Sequence, residues 1–259
     1  MKLILYQIDA FASKVFQGNP AAVIPLEYWL PEKTMQSIAQ ENNLSETAFF
    51  CQSGNFFDIR WFTPNGEVKL CGHATLASAY VIFNFLKIES TQIYFKSLSG
   101  LLNVKKEGDL YILDFPSQKP EKCEMPRLLM EGLGQGSGVC FRNEDYLVVF
   151  DNEDQIDKIT PDFNKLALLD LRGVIVTSPG KDYDFVSRAF FPKYGILEDP
   201  VTGSAHTKLI PYWSQKLNKS ELKAKQISKR GGELFCEYKI DRVFISGYAK
   251  LYMVGEIQL

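Results

Sequence analysis

Two stretches 128 residues apart constrain the fold more than any other feature of the chain. Arg60-Trp61-Phe62-Thr63-Pro64 and Arg188-Ala189-Phe190-Phe191-Pro192 carry Arg, Phe and Pro at matching positions. Followed forward, the first line reaches Cys71-Gly72-His73-Ala74 and a helical stretch. The second reaches Asp199-Pro200-Val201-Thr202-Gly203-Ser204-Ala205 and another, with Cys71 and Asp199 again 128 apart. Repetition of strand, loop, glycine and helix at one long period implies two similar halves. Each half is expected to be a sheet wrapped around one buried helix, with a cleft between the halves faced by both helix N-termini.

Local patterning fills in the elements. Strands are expected over 3–11 and 21–25, split by a turn at Gly18-Asn19-Pro20. Pro31 opens a helix to about Asn42 with Met35, Ile38 and Ala39 on one face. Strands follow at 47–51 and 56–62, then an uncharged helix over 72–86. Further strands fall at 92–96, 100–106 and 109–115, with Glu107-Gly108-Asp109 as a hairpin turn. Residues 116–127 hold Pro116, Pro120 and Pro126 and read as a linker. Beyond them strands are expected at 139–142, 145–150, 173–177 and 184–191, helices at 161–169 and 203–217. Strands at 225–229, 233–239, 242–247 and 249–257 close the chain. The expected division is 1–115, with a C-terminal strand at about 248–259, and 128–247.

Composition excludes several function classes. A net charge of −2 with 46% hydrophobic and 23% charged residues argues against a disordered chain or a nucleic-acid binder. Six Lys/Arg within 216–230 read as a solvated face. The uncharged helix is too short and too often polar for a bilayer, and Met1 to Asp9 reads as a first strand rather than a signal peptide. Five cysteines without CxxC spacing suggest neither a disulfide framework nor a zinc ribbon, and two histidines are too few for a His-rich metal site. A reduced, cytoplasmic protein without a metal is expected.

Chemistry-bearing residues gather at the two helix starts. Unpaired N–H groups and a partial positive charge suit a carboxylate there, and Gly72 and Gly203 let the backbone approach it. Glu46, just before an apolar strand, is either a strand-edge charge or a carboxyl group that gives and takes a proton. Asp199 is either a loop residue or functional. His73 adjoins Gly72, while His206 reads equally as a satisfied buried group. Ser204 is a hydroxyl donor or a small residue at a tight start. Cys71 near a helix end is a candidate thiolate or inert packing, and the other four cysteines read as packing.

Gly18-Asn19-Pro20-Ala21-Ala22-Val23, Leu44-Ser45-Glu46-Thr47-Ala48-Phe49, Leu70-Cys71-Gly72-His73-Ala74-Thr75-Leu76-Ala77, Glu198-Asp199-Pro200-Val201-Thr202-Gly203-Ser204-Ala205-His206 and Ser228-Lys229-Arg230-Gly231-Gly232-Glu233 occur in this order. Together they resemble the phenazine-biosynthesis PhzF-like family. The resemblance implies an α+β fold of two pseudo-equivalent halves, each a curled mixed β-sheet around a central α-helix, the diaminopimelate-epimerase-like architecture. It implies a cofactor-independent isomerase acting on a small carboxylate-bearing substrate, often as a homodimer. The phenazine enzyme itself moves a proton on trans-2,3-dihydro-3-hydroxyanthranilate. By the same resemblance Glu46, His73 and Asp199 match catalytic residues and Ser204 a site serine, while Cys71, Gly72 and Gly203 are expected to contact substrate from their places at the helix starts. The related epimerases use two cysteines, and Asp199 stands in place of the second. Two rivals stay open: a racemase or epimerase working through Cys71 and Asp199, and a non-catalytic binding module on the same scaffold.

Overall fold

A computed structural model describes residues 1–86 and 88–259. Backbone contacts divide the chain into two compact units, Met1–Phe115 with Ile245–Leu259, and Pro116–Phe244.

The first unit runs β1 (Lys2–Ala10), β2 (Asn19–Leu26), α1 (Glu32–Asn42), β3 (Glu46–Ser53), β4 (Phe56–Thr63), β5 (Gly66–Val68), α2 (Gly72–Phe85), β6 (Gln92–Ser97), β7 (Gly100–Glu107) and β8 (Leu110–Pro116). The second runs β9 (Glu121–Lys122), α3 (Arg127–Leu133), β10 (Val139–Arg142), β11 (Tyr146–Val149), α4 (Glu153–Asp157), α5 (Phe163–Ala167), β12 (Val174–Ser178), β13 (Phe185–Phe190), α6 (Gly203–Leu217), β14 (Glu221–Gln226) and β15 (Gly232–Lys239). β16 (Arg242–Gly247) and β17 (Ala249–Gln258) end the chain.

Pairing repeats between the units. In the first, β17, β1, β2, β3, β4, β6 and β7 are successive neighbours joined antiparallel, antiparallel, parallel, antiparallel, parallel and antiparallel. In the second, β9 to β15 follow the same six relations in chain order. The matching arginines play matching parts. Arg60 on β4 forks onto Glu67 at 2.7 and 2.6 Å, and Arg188 on β13 forks onto Glu198 at 2.7 and 2.9 Å.

Alternation along β3 decides what faces what. Phe49 and Cys51 join Met35, Ile38 and Ala39 of α1 in one apolar cluster. Side chains at even spacing share a face, so Glu46, Ala48 and Phe50 lie on the other, where α2 packs. That helix carries no Asp, Glu, Lys or Arg and is buried at ten of its fourteen positions. A helix apolar all round needs cover on every side, and β1, β2, β3 and β17 all pack on it. In the second unit α6 packs on β14 and β15. The short helices α3, α4 and α5 supply Leu129, Leu133, Ile156 and Leu166 to a core with Val174, Val176, Val186 and Phe190.

Residues 116–127, read as a linker, are instead part of the second unit. Their backbone is committed: the N–H groups of Ser117, Gln118 and Cys123 donate to the carbonyls of Asp241, Thr207 and Cys140 at 2.8, 3.0 and 3.0 Å. Proline chemistry explains the middle bond. Pro211 inside α6 has no N–H to give the carbonyl four residues back, which belongs to Thr207, and Gln118 takes its place. The helix starts also differ from strict repetition. Cys71 immediately precedes α2, whereas Thr202 holds that position before α6 and Asp199 lies three residues earlier. Among the described residues no helix is long and apolar enough to cross a membrane.

Candidate functional site

The parallel pairing of β2 with β3, Ala21 opposite Glu46, sets the beginnings of both strands at one end of the first unit's sheet. Asn19 opens β2 and Glu46 opens β3. Cys71 is the extended residue before α2, and His73 is that helix's second residue. Gly72 is its first. Three of the expected residues therefore meet. His73 Nε2 lies 3.1 Å from Glu46 Oε2, and His73 Nδ1 lies 3.5 Å from Cys71 Sγ. All three are buried, Glu46 being 9% exposed.

Asn19 completes the cluster, its amide nitrogen 3.2 Å from Nδ1. Turned over, the same amide presents an oxygen to a protonated ring, so the contact serves both charge states. Burial disfavours the His73 imidazolium. The Cys71 sulfur and Glu46 carboxylate outweigh it, and the His73 pKa is held well above 6.5. Burial pushes the Cys71 thiol up to about 11, Glu46 reinforcing and His73 opposing. The thiol is thus protonated at neutral pH. Glu46 Oε2 and His73 Nε2, although close, are outside hydrogen-bond geometry, and neither has a hydrogen-bond partner among the described residues.

The sulfur, nitrogen and oxygen of Cys71, His73 and Glu46 lie within 4.8 Å of one another, a donor set zinc accepts. Their arrangement opposes a shared ion, because Cys71 faces Nδ1 and Glu46 faces Nε2. The imidazole stands between the two other donors, which suits relaying a proton better than surrounding a metal.

In the second unit Asp199 is held by its neighbours. Its Oδ2 accepts the Thr202 hydroxyl at 2.5 Å. Buried Gln226 accepts the Thr202 N–H at 2.9 Å and donates to the Asp199 carbonyl at 2.7 Å. Ser228 donates to the Pro200 carbonyl at 2.7 Å and accepts the Gly231 N–H at 3.1 Å, so the Ser228–Glu233 motif braces the loop before α6. Gly203 is the first residue of α6. His206 is fully buried, its Nδ1 2.8 Å from the Thr202 carbonyl. Burial pushes its pKa down to about 4 against that bond, so the ring is neutral.

Ser204 accepts from Arg172 at 3.1 Å. Arg172 forks onto Asp145 at 2.8 and 2.6 Å, and Lys208 reaches Asp145 at 3.2 Å, Gln118 at 2.8 Å and the Ser204 carbonyl at 3.2 Å. Asp145 and Lys208 are wholly buried. Burial would raise the Asp145 pKa, but the Arg172 hydrogen bond and both cations hold it below the ordinary carboxylate value. Sequence reasoning did not find Arg172, Asp145, Lys208 or Gln226. They stand among other polar residues in turns, at a strand end or within a helix, with no local spacing that links them, and only tertiary contact joins them.

A sequence model of the family described as phenazine biosynthesis-like protein matches residues 8–255. An uncharacterized isomerase of Pseudomonas aeruginosa is 50% identical over 259 residues, covering 100% of both chains. The crystal structure of a phenazine biosynthesis protein of the PhzF family from Enterococcus faecalis superposes with a TM-score of 0.98 at 51% identity, covering 100% of both chains. A hydroxyproline epimerase from Agrobacterium vitis, 9% identical with a TM-score of 0.64, covers 99% of this chain and 92% of its own and shares the fold.

Proposed function

The chain belongs to the phenazine biosynthesis-like protein family and is an isomerase, and from that premise we propose that it shifts a proton on a small carboxylate substrate by carboxyl acid/base catalysis. Glu46 removes a proton from one carbon and returns it to another, so the enzyme ends each cycle unchanged and needs no organic cofactor. His73, 3.1 Å from it, orients the Glu46 carboxyl group while it carries the proton between the two steps. Cys71 and Gly72 contact the substrate at the start of α2. Asp199, with Gly203 and Ser204, supplies further polar contacts. The compartment proposed is the cytoplasm and the assembly a homodimer.

One observation carries the reading. Glu46 Oε2 is buried, lies 3.1 Å from a histidine whose pKa is raised, and spends no hydrogen bond on the protein. Such an oxygen is free to take a proton from carbon. The rival base is scarcer: burial pushes the Cys71 thiol up to about 11, so its thiolate is a minor species at neutral pH.

The test is solvent deuterium exchange. Small carboxylic acids bearing an activated C–H are incubated with enzyme in D₂O and followed by NMR. Deuterium should enter at carbon with wild-type protein. Glu46→Gln should lose ~10²–10⁴ of the rate, and Cys71→Ser should lose much less. Exchange that survives Glu46→Gln but collapses in Cys71→Ser would transfer the role to a thiol epimerase.

A further inference from the structure

Two cysteines outside the candidate site are brought together by strand pairing. β9 and β10 run antiparallel with Lys122 opposite Phe141 and Glu121 opposite Arg142. One step along this register sets Cys123 opposite Cys140, and the Cys123 N–H donates to the Cys140 carbonyl at 3.0 Å. Directly opposed residues of an antiparallel pair project to the same face. Their sulfurs accordingly lie 3.5 Å apart, both as free thiols. Among the described residues no other two cysteines are in sulfur–sulfur contact.

We propose that Cys123 and Cys140 form a redox-active dithiol that low-molecular-weight disulfides convert to an intrachain disulfide. Joining the sulfurs at ~2.05 Å needs an approach of about 1.5 Å, within the reach of side-chain rotation on a two-residue edge strand. The two thiols have unequal access. Cys140 is 3% exposed and burial pushes it up to about 12, whereas Cys123 is only partly buried. Cys123 is therefore the entry thiol. Its thiolate attacks one sulfur of the small disulfide, forming a mixed disulfide and releasing one small thiol. Cys140 then gives up its proton and attacks Cys123 Sγ, expelling the second small thiol. Two cysteine thiols are oxidised by two electrons, and one small disulfide is reduced to two thiols. The product ties β9 to β10 and closes a loop containing α3.

The full chain is equilibrated in buffers of rising oxidised-to-reduced glutathione ratio, quenched with acid and alkylated. Free thiols should fall from five to three. Trypsin should yield Cys123–Arg127 linked to Leu128–Arg142, two hydrogens lighter than the separate peptides. The midpoint of thermal unfolding should rise by roughly 6–12 °C, as expected for closing a loop of about this length in a domain of this size. Cys140→Ala should stop at one glutathione on Cys123, and Cys123→Ala should show no thermal shift. Five titratable thiols throughout, or a link mapped to any other pair, overturns the proposal whether or not either variant folds. An adduct accumulating on Cys140 in Cys123→Ala, with none on Cys123 in Cys140→Ala, overturns the assignment of the entry thiol.

Discussion

Asp145→Asn should damage stability out of proportion to its size, because it removes a charge and almost no volume. Asp145 accepts two hydrogen bonds from Arg172 and stands 3.2 Å from Lys208, whose side chain is wholly buried. The amide puts an N–H₂ against one of these donors. Lys208 is left with the neutral oxygens of Gln118 and Ser204, and with Glu144 at 3.6 Å and half exposed. Breaking a buried ion pair from one side costs ~3–5 kcal/mol. A ceiling follows from the alternative open to the lysine, which is to fold without its proton. At pH 7, against a solution pKa of about 10.4, that costs about 4.6 kcal/mol. The sign of the pH effect follows. A lysine neutral in the folded variant and charged when unfolded makes the unfolded chain bind the extra proton, so stability rises with pH by ~1.4 kcal/mol per unit. Urea melts at pH 7 and pH 9 should therefore show a large penalty that shrinks at the higher pH, with a thermal midpoint lowered by ~6–20 °C at pH 7. Adding Lys208→Met should recover most of the loss. A penalty under ~1 kcal/mol, or no recovery in the double variant, would refute the view of this trio as a mutually dependent buried cluster.

Gly18→Ala should cost at least ~2 kcal/mol in urea melts, since the new Cβ would lie 2.1 Å from the Ala10 carbonyl oxygen at a φ of +67°. Neutral buried His206 should make the protein lose ~3 kcal/mol as pH falls from 6.5 through about 4, because only the unfolded chain takes up that proton. His206→Phe should flatten this slope in acid titrations followed by circular dichroism. His73 runs the other way. Its raised pKa gives a contribution that is full below 6.5 and is lost as pH rises through the folded value. His73→Gln should flatten the alkaline limb, and should slow deuterium exchange more than Cys71→Ser does.

Elements carried by a continuous apolar pattern were legible in the sequence. The helix over 203–217 and Met35, Ile38 and Ala39 as the buried face of α1 are examples. The short elements β5, β9, α3 and α4 were not, because each lacks a periodic apolar run of its own, whereas β10, β11 and β12, equally short, carry consecutive apolar residues. β14 was displaced for a different reason. Its expected range was 225–229, yet Glu221 to Gln226 pairs with β15. There Leu222, Ala224 and Gln226 are buried while Glu221 and Lys223 are exposed. The cluster of basic residues read as a solvated face is thus partly the outward side of a strand. Glu46, Cys71 and His73 could each be singled out in the sequence, Cys71 and His73 by their place at a helix start and Glu46 through its motif, but their mutual contact could not, since the pairing of β2 with β3 and the start of α2 bring them together. Gln226, Arg172 and the Cys123–Cys140 pair were not legible, since strand register and not local spacing joins them to their partners.

The position of β17 has a consequence for synthesis on the ribosome. It pairs with β1 along nearly the whole strand, from Lys2 opposite Gln258 to Ala10 opposite Ala249, and packs on α2. The N-terminal unit is thus translated first and completed last. Pro116–Phe244 emerges as a continuous segment and can close its own sheet, while β1 waits for a neighbour made after it. Until that neighbour arrives, one long edge of β1 and one flank of the apolar helix α2 stay uncovered. The same helix carries His73 near its start, so the unit holding the Glu46 cluster gains its full cover only once residues 249–258 are made. Nascent chains arrested before residue 249 should carry a folded second unit beside a protease-sensitive first one.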